Sequence, residues 1–145
     1  MRRYPISLLL LGALGACSAP TEAVPSVSLT IDHVAKTGDG RFLGFQYTIT
    51  NASQSSVWLP ACGGVIRPDV AVRVGGRVTD NYSGSLCLAD VYMGPASIAP
   101  GASYRGESSV QVATGATFIP SIAVSLSETM SASVWRVRGT AFGPS

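Results

Sequence analysis

Leu43, Phe45, Tyr47 and Ile49 are apolar, while Gly44, Gln46, Thr48 and Thr50 between them are small or polar. Side chains of an extended strand point alternately to opposite faces, so this stretch buries one face and exposes the other only as a β-strand. The same period recurs through most of the sequence after residue 26, and no helix-length window carries a helical stripe. An all-β fold is therefore expected, with the Leu43–Ile49 strand at the centre of a sheet.

The neighbouring segments follow the same rule. Val27, Leu29 and Ile31 share one face of a first strand, with Ser28, Thr30 and Asp32 on the other and His33 falling on the apolar parity. Gly38-Asp39-Gly40 supplies a turn. Asn51–Ser56 reads as a polar loop, Val57-Trp58-Leu59 as a short strand stopped by Pro60 with Trp58 in the core, and Cys62-Gly63-Gly64 as a sharp bend. Val70, Val72 and Val74 alternate before Gly75-Gly76. A two-residue loop there opposes Val74 and Arg77, whereas a loop of Gly75 to Arg77 opposes Val74 and Val78, and this second register is expected. Asn81–Met93 keeps no clean period and reads as loop with one short strand. Pro100 and Gly101 occupy the centre of a type II turn that launches a strand from Tyr104 to Val112. Ile122, Val124 and Leu126 form one face of a later strand. In the last, Trp135 and Val137 point inward and Arg136 and Arg138 outward.

Seven or eight short antiparallel strands separated by turns imply a β-sandwich, with an immunoglobulin-like arrangement leading. Trp58 precedes both Cys62 and Cys87, so the antibody spacing of cysteine, tryptophan and cysteine is absent.

The first residues have a different grammar. Arg2 and Arg3 are followed by the apolar run Ile6–Leu14, which is too short to span a bilayer, and then by Gly15, Ala16 and Cys17. Leu14-Gly15-Ala16-Cys17 resembles the lipobox of bacterial lipoproteins. The resemblance implies a signal peptide over residues 1–16, a diacylglycerol on the Cys17 thiol, and further acyl chains, palmitate among them, on the new amino terminus. Two or three such chains suffice for stable anchoring, because each buried methylene contributes about 0.8 kcal/mol. Residues 17–25 then form a lipidated tether and residues 26–145 one β-sandwich domain. Ser18, where an aspartate tends to retain lipoproteins at the inner membrane, implies an outer-membrane location facing the periplasm if the organism has two membranes.

Removing residues 1–16 takes away Arg2 and Arg3 and leaves eight basic against eight acidic residues. A neutral domain without a run of Lys or Arg has no electrostatic footprint for nucleic acid. With Cys17 lipidated, Cys62 and Cys87 are the two remaining cysteines, in a compartment that allows oxidation. They lack the spacing of a redox or metal pair, and a structural disulfide closing their loop contributes about 3 to 4 kcal/mol on the chain-entropy model.

Phe45-Gln46-Tyr47-Thr48-Ile49-Thr50-Asn51-Ala52-Ser53, with Val57-Trp58-Leu59-Pro60-Ala61-Cys62-Gly63 and Ile98-Ala99-Pro100-Gly101-Ala102-Ser103-Tyr104, resembles uncharacterised bacterial lipoproteins with an immunoglobulin-like domain. In these a central strand ends in an Asn-containing loop and a Pro-Gly turn opens a later strand. The same elements are similar to a bacterial proteinase-inhibitor family of β-sandwich type, which implies inhibition of a protease or other hydrolase as the alternative function.

Catalytic groups are sparse. The processed chain carries one histidine and eight scattered carboxylates, and no Gly-x-Ser-x-Gly elbow. His33, Met93 and Met130 do not follow a clustered metal pattern, and Gly63-Gly64 and Gly75-Gly76 lack the context of a phosphate cradle. No enzyme activity, cofactor or metal is expected. Tyr82 and Tyr92, flanking Cys87 among small polar residues, are the candidate binding residues, since tyrosine offers an apolar ring with a polar tip. The expected function is a non-enzymatic binding or structural module, lipid-anchored at the cell envelope and facing a protein partner there.

Overall fold

The structure, a computed structural model, describes residues 24–82, 93–131 and 133–144. Its strands in chain order are β1 (Val27–Lys36), β2 (Phe42–Asn51), β3 (Val57–Cys62), β4 (Val65–Ile66), β5 (Asp69–Val74), β6 (Arg77–Tyr82), β7 (Met93–Ile98), β8 (Ser103–Gln111), β9 (Ala116–Ser125) and β10 (Val134–Arg138). They form two antiparallel sheets. One has the order β1-β2-β8; the other runs β4-β3-β9-β5-β6, with β7 paired to β3 and β10 to β9. The all-β expectation holds, and β2 is central in its sheet.

Ten described strands replace the seven or eight expected from the sequence. Gly63 and Gly64 take positive φ (57° and 78°), which folds the two-residue β4 back onto Ala61 and Cys62. β7 was not foreseen because Gly94-Pro95-Ala96-Ser97 has no hydrophobic alternation; its partner β3 defines it. Pro60 does not stop β3. It falls between the Trp58–Ser125 bridge and the Ala61–Ile66 pair, where no described strand needs its missing N–H.

Two register shifts correct the sequence reading. Ile31 opposes Tyr47 and His33 opposes Gln46, so Asp32 is the extra residue of a β-bulge. The bulge exchanges the faces beyond it: half-buried Val34 packs on the core and His33 is exposed. In the β5–β6 hairpin Val74 opposes Arg77, so the loop is Gly75-Gly76 and not Gly75–Arg77. Both glycines have positive φ (57° and 82°), which the two-residue turn requires. A further shift pairs Arg73 with Val78 and Val72 with Asp80. At this tip Val74 and Val78 are both exposed, so opposing Val74 to Arg77 forfeits little burial.

The core lies between the sheets. Leu43, Phe45, Tyr47 and Ile49 of β2 are all at most 2% exposed and form one cluster with Val57, Leu59, Ile66, Val70, Phe118, Ile122 and Val124 of the opposite sheet. Each such side chain contributes about 1.5–3 kcal/mol of transfer free energy relative to exposure. The Tyr47 hydroxyl is anchored by donating to the Ile66 carbonyl. Above the Tyr47 ring, Gly106 of β8 is the paired residue, and a Cβ there would collide with the phenol. Phe142 closes the core through two backbone hydrogen bonds to Phe118 (2.7 and 2.9 Å) and a ring contact with Phe45 at 5.0 Å. Trp135 and Val137 point inward and Arg136 and Arg138 outward, as their parity requires. Trp58 is not core: it is half-buried on the parity opposite Val57 and Leu59.

One pole is stitched by Asn51, which is fully buried. Its amide nitrogen donates to Ser55 O and Ile98 O, both at 2.9 Å, and its Oδ1 accepts from Ser53 N at 3.0 Å. Its backbone N–H donates to Ala102 O and its carbonyl accepts from Gly101 N, in the Pro-Gly turn where Gly101 has φ 72°. The β1–β2 hairpin lies at the other pole. There Thr37 Oγ1 and Arg41 N donate to Asp39, which hold its carboxyl below the usual carboxylate range.

Candidate functional site

The outer face of the three-stranded sheet follows from the parity that built the core. With Leu43, Phe45, Tyr47 and Ile49 turned inward, Gly44, Gln46, Thr48 and Thr50 turn out, and the antiparallel register places particular residues beside them. Gln46 lies between His33 and Glu107, Thr48 between Thr30 and Arg105, and Gly44 between Ala35 and Ser109. The result is a polar surface without a large apolar side chain in these rows.

Two open depressions lie on this face. One, of about 490 Å³, includes His33, Lys36, Gln46 and Glu107 in its lining. The other, of about 730 Å³, includes Asp32, Gln46, Thr48, Arg105 and Glu107. The bulge that turns His33 outward also displaces Asp32, whose carboxylate accepts from Thr30 Oγ1 (3.2 Å) and from Thr48 Oγ1. His33, Gln46, Arg105 and Glu107 are exposed and together offer donors and acceptors of both charges over three adjacent strands. Such a surface suits recognition of a polar partner at several points. On the other sheet, the exposed Arg136–Asp69 pair (3.0 Å), with Arg136 also donating to Ser121 Oγ (3.1 Å), is worth about 0–1 kcal/mol and reads as surface structure.

Among the described residues no group of three or more His, Cys, Asp and Glu is placed to hold a metal ion. His33 stands on the three-stranded sheet, whereas Met130 follows β9 in a turn closed by its N–H to Ser127 O at 3.0 Å. The structure does not gather them.

The sequence-derived site residues are distributed unevenly. Cys17, Cys87 and Tyr92 lie outside the described residues. Tyr82 is the last residue of β6, opposite Val70. Cys62 ends β3 opposite Met93 and is not a free thiol. It is the only described cysteine, so no bridge joins two described residues. The polar face itself was missed as a site. Its signal was the alternate parity of β2 and β8, with Gln46 beside Thr48 and Arg105 beside Glu107, which sequence reading takes for a solvated surface. No helix among the described residues is long and apolar enough to cross a membrane.

No family model and no curated protein matches the chain. Among solved structures, a protein provisionally assigned as ApaA from Bordetella pertussis is similar over 81% of this chain and 91% of its own, at 14% identity and a TM-score of 0.49. A structural genomics target, SoR45, is similar over 82% of this chain and 83% of its own (13% identity, TM-score 0.41). β-Glucosidase 3B from Thermotoga neapolitana is similar over 82% of this chain but only 17% of its own, with 14% identity and a TM-score of 0.31. These distant likenesses carry no functional argument.

Proposed function

We propose that the protein is a lipid-tethered, non-enzymatic binding module of the bacterial cell envelope, which presents the polar face of β1, β2 and β8 to a protein partner. The observation that carries this reading is the exposed row His33–Gln46–Glu107, which crosses three strands above a core that uses none of its side chains. Support for the tether comes from the lipobox-like Leu14-Gly15-Ala16-Cys17 and from the position of β1, which starts at Val27. Ten residues reach at most about 35 Å, so the domain stays close to the membrane that holds its acyl chains. The outer membrane, facing the periplasm, is the proposed location in an organism with two.

The finer fold assignment is an immunoglobulin-like sandwich. After β1 and β2 the chain crosses to the other sheet for β3, returns for β8, and crosses again for β9 and β10. This matches the order in which such sandwiches alternate between their sheets. A Cys62–Cys87 disulfide is proposed with it, and Tyr82 and Tyr92 remain candidate contacts beside that bridge. The hydrolase-inhibitor alternative rests on resemblance alone.

The experiment is a pulldown from envelope extracts with the wild type and with a His33→Ala/Gln46→Ala variant. Both residues are exposed, so the variant keeps the fold. A partner enriched by the wild type and lost from the variant supports the reading. Identical captured sets contradict it.

A further inference from the structure

The two edges of the three-stranded sheet are unlike. β1 carries the bulge at Asp32 and ends in Lys36, two features that discourage strand addition. Gly139 also approaches its Leu29, where a Cβ would come within 3.0 Å of the carbonyl oxygen. Among the described residues, β8 carries neither a bulge nor a lysine. It keeps an unbroken register with β2 over Ser103–Thr50 to Gln111–Phe42, contains neither proline nor lysine, and has no described strand on its other side.

Backbone hydrogen bonds at the two ends of this ladder fix its phase. Asn51 N donates to Ala102 O and Val112 N to Arg41 O. Hydrogen-bonded pairs recur at every second residue of an antiparallel ladder, so Tyr104, Gly106, Ser108 and Val110 direct their N–H and C=O groups toward β2. Those of Ser103, Arg105, Glu107, Ser109 and Gln111 point away from the sheet. A row of unpaired donors and acceptors is a template for another strand.

We propose that this edge is a homodimer interface, in which β8 pairs antiparallel with β8 of a second copy about a two-fold axis at Gly106. Charge selects the register. Arg105 and Glu107 flank Gly106, so centring the pair there sets Arg105 opposite Glu107 of the second copy, and does so twice. Centring it on Arg105 or on Glu107 instead opposes like charges. The Gly106 register also joins outward-pointing backbone groups to each other, with Ser103 opposite Ser109 as the next hydrogen-bonded pair. At the axis two glycines meet in a non-hydrogen-bonded pair, the closer kind, where no side chains obstruct the approach. The product is a continuous six-stranded sheet, β1-β2-β8-β8-β2-β1, whose outer face joins two copies of the polar surface. On the tether reading above, the antiparallel copies carry their anchors at opposite ends, so a dimer in one leaflet lies with its strands along the membrane.

Sedimentation equilibrium of the full-length gene product in density-matched detergent tests the pairing. The wild type is expected to dimerise. Arg105→Glu and Glu107→Arg each replace two attractive oppositions by two repulsive ones and are expected to weaken dimerisation about tenfold. The double variant R105E/E107R regains complementarity and is expected to restore it. Glu107→Pro removes an N–H that points away from β2 and is expected to abolish dimerisation while the thermal transition stays within a few degrees of wild type. A monomeric wild type, a double variant no better than the singles, or unchanged dimerisation in Glu107→Pro overturns the proposal.

Discussion

The side-chain amide of Asn51 donates to the carbonyl of Ile98 at 2.9 Å and so ties the last residue of β2, in one sheet, to the last residue of β7, in the other. The same nitrogen donates to Ser55 O at 2.9 Å. Because Asn51 is fully buried and its bond to Ile98 O is buried with it, that carbonyl finds no water as a substitute once the amide is gone, whereas exposed Ser55 keeps a bond from Ser53 Oγ (2.9 Å).

Asn51→Ala is therefore expected to destabilise the fold by about 2 kcal/mol, as the buried Ile98 carbonyl loses its donor. Asn51→Asp is expected to cost at least as much at neutral pH, since a carboxylate donates to neither. Urea unfolding followed by tryptophan fluorescence measures both; a loss below 1 kcal/mol for Asn51→Ala would falsify the bridging role.

Tyr47 links stability to alkaline pH. Burial pushes its hydroxyl well above the ordinary tyrosine value of 10.0. A raised folded-state pKa means stability that is fully present below about pH 10 and lost as the pH rises toward the folded-state value. Tyr47→Phe is expected to cost about 1 kcal/mol near pH 7 by losing the bond to Ile66 O. It should also flatten the decline of the midpoint above pH 10. An identical alkaline slope in wild type and variant would contradict this.

The β5–β6 turn offers a test of its register. Asparagine tolerates the left-handed conformation that Gly75 adopts (φ 57°), so Gly75→Asn is expected to change stability by less than about 0.5 kcal/mol. Gly75→Val should cost about 1–2 kcal/mol, because a β-branched residue is strained there. Thermal melts that rank asparagine and valine equally would argue for another loop.

The proposed bridge predicts thiol chemistry. The processed, non-reduced protein should take up no alkylating reagent, and after reduction in denaturant it should take up two equivalents, on Cys62 and Cys87. Labelling of Cys62 without reductant would contradict the pairing.

Legibility in the sequence depended on whether the deciding contacts were local. The alternation of Leu43 to Ile49, the outward arginines of β10 and the Pro100-Gly101 turn were readable because strand parity and turn stereochemistry are properties of a few consecutive residues. His33 was misplaced because the extra residue, Asp32, enters β1 only in its pairing with β2, and one inserted residue exchanges the two faces. Trp58 was assigned to the core on hydrophobicity, although its parity with Val57 and Leu59 turns it out. β7 was unreadable because its small residues take their conformation from β3. The polar face was visible as a pattern, but polar parity alone does not separate a recognition surface from a solvated one; that distinction depends on which neighbours the register brings together.

The proposed function places acyl chains on Cys17, which hold this domain at the envelope. Intact-mass analysis of the protein purified from its native membrane reads this modification. The expected product begins at Cys17 and carries a diacylglyceryl group, with or without a further acyl chain. A mass that retains residues 1–16, or an unmodified Cys17, would contradict it.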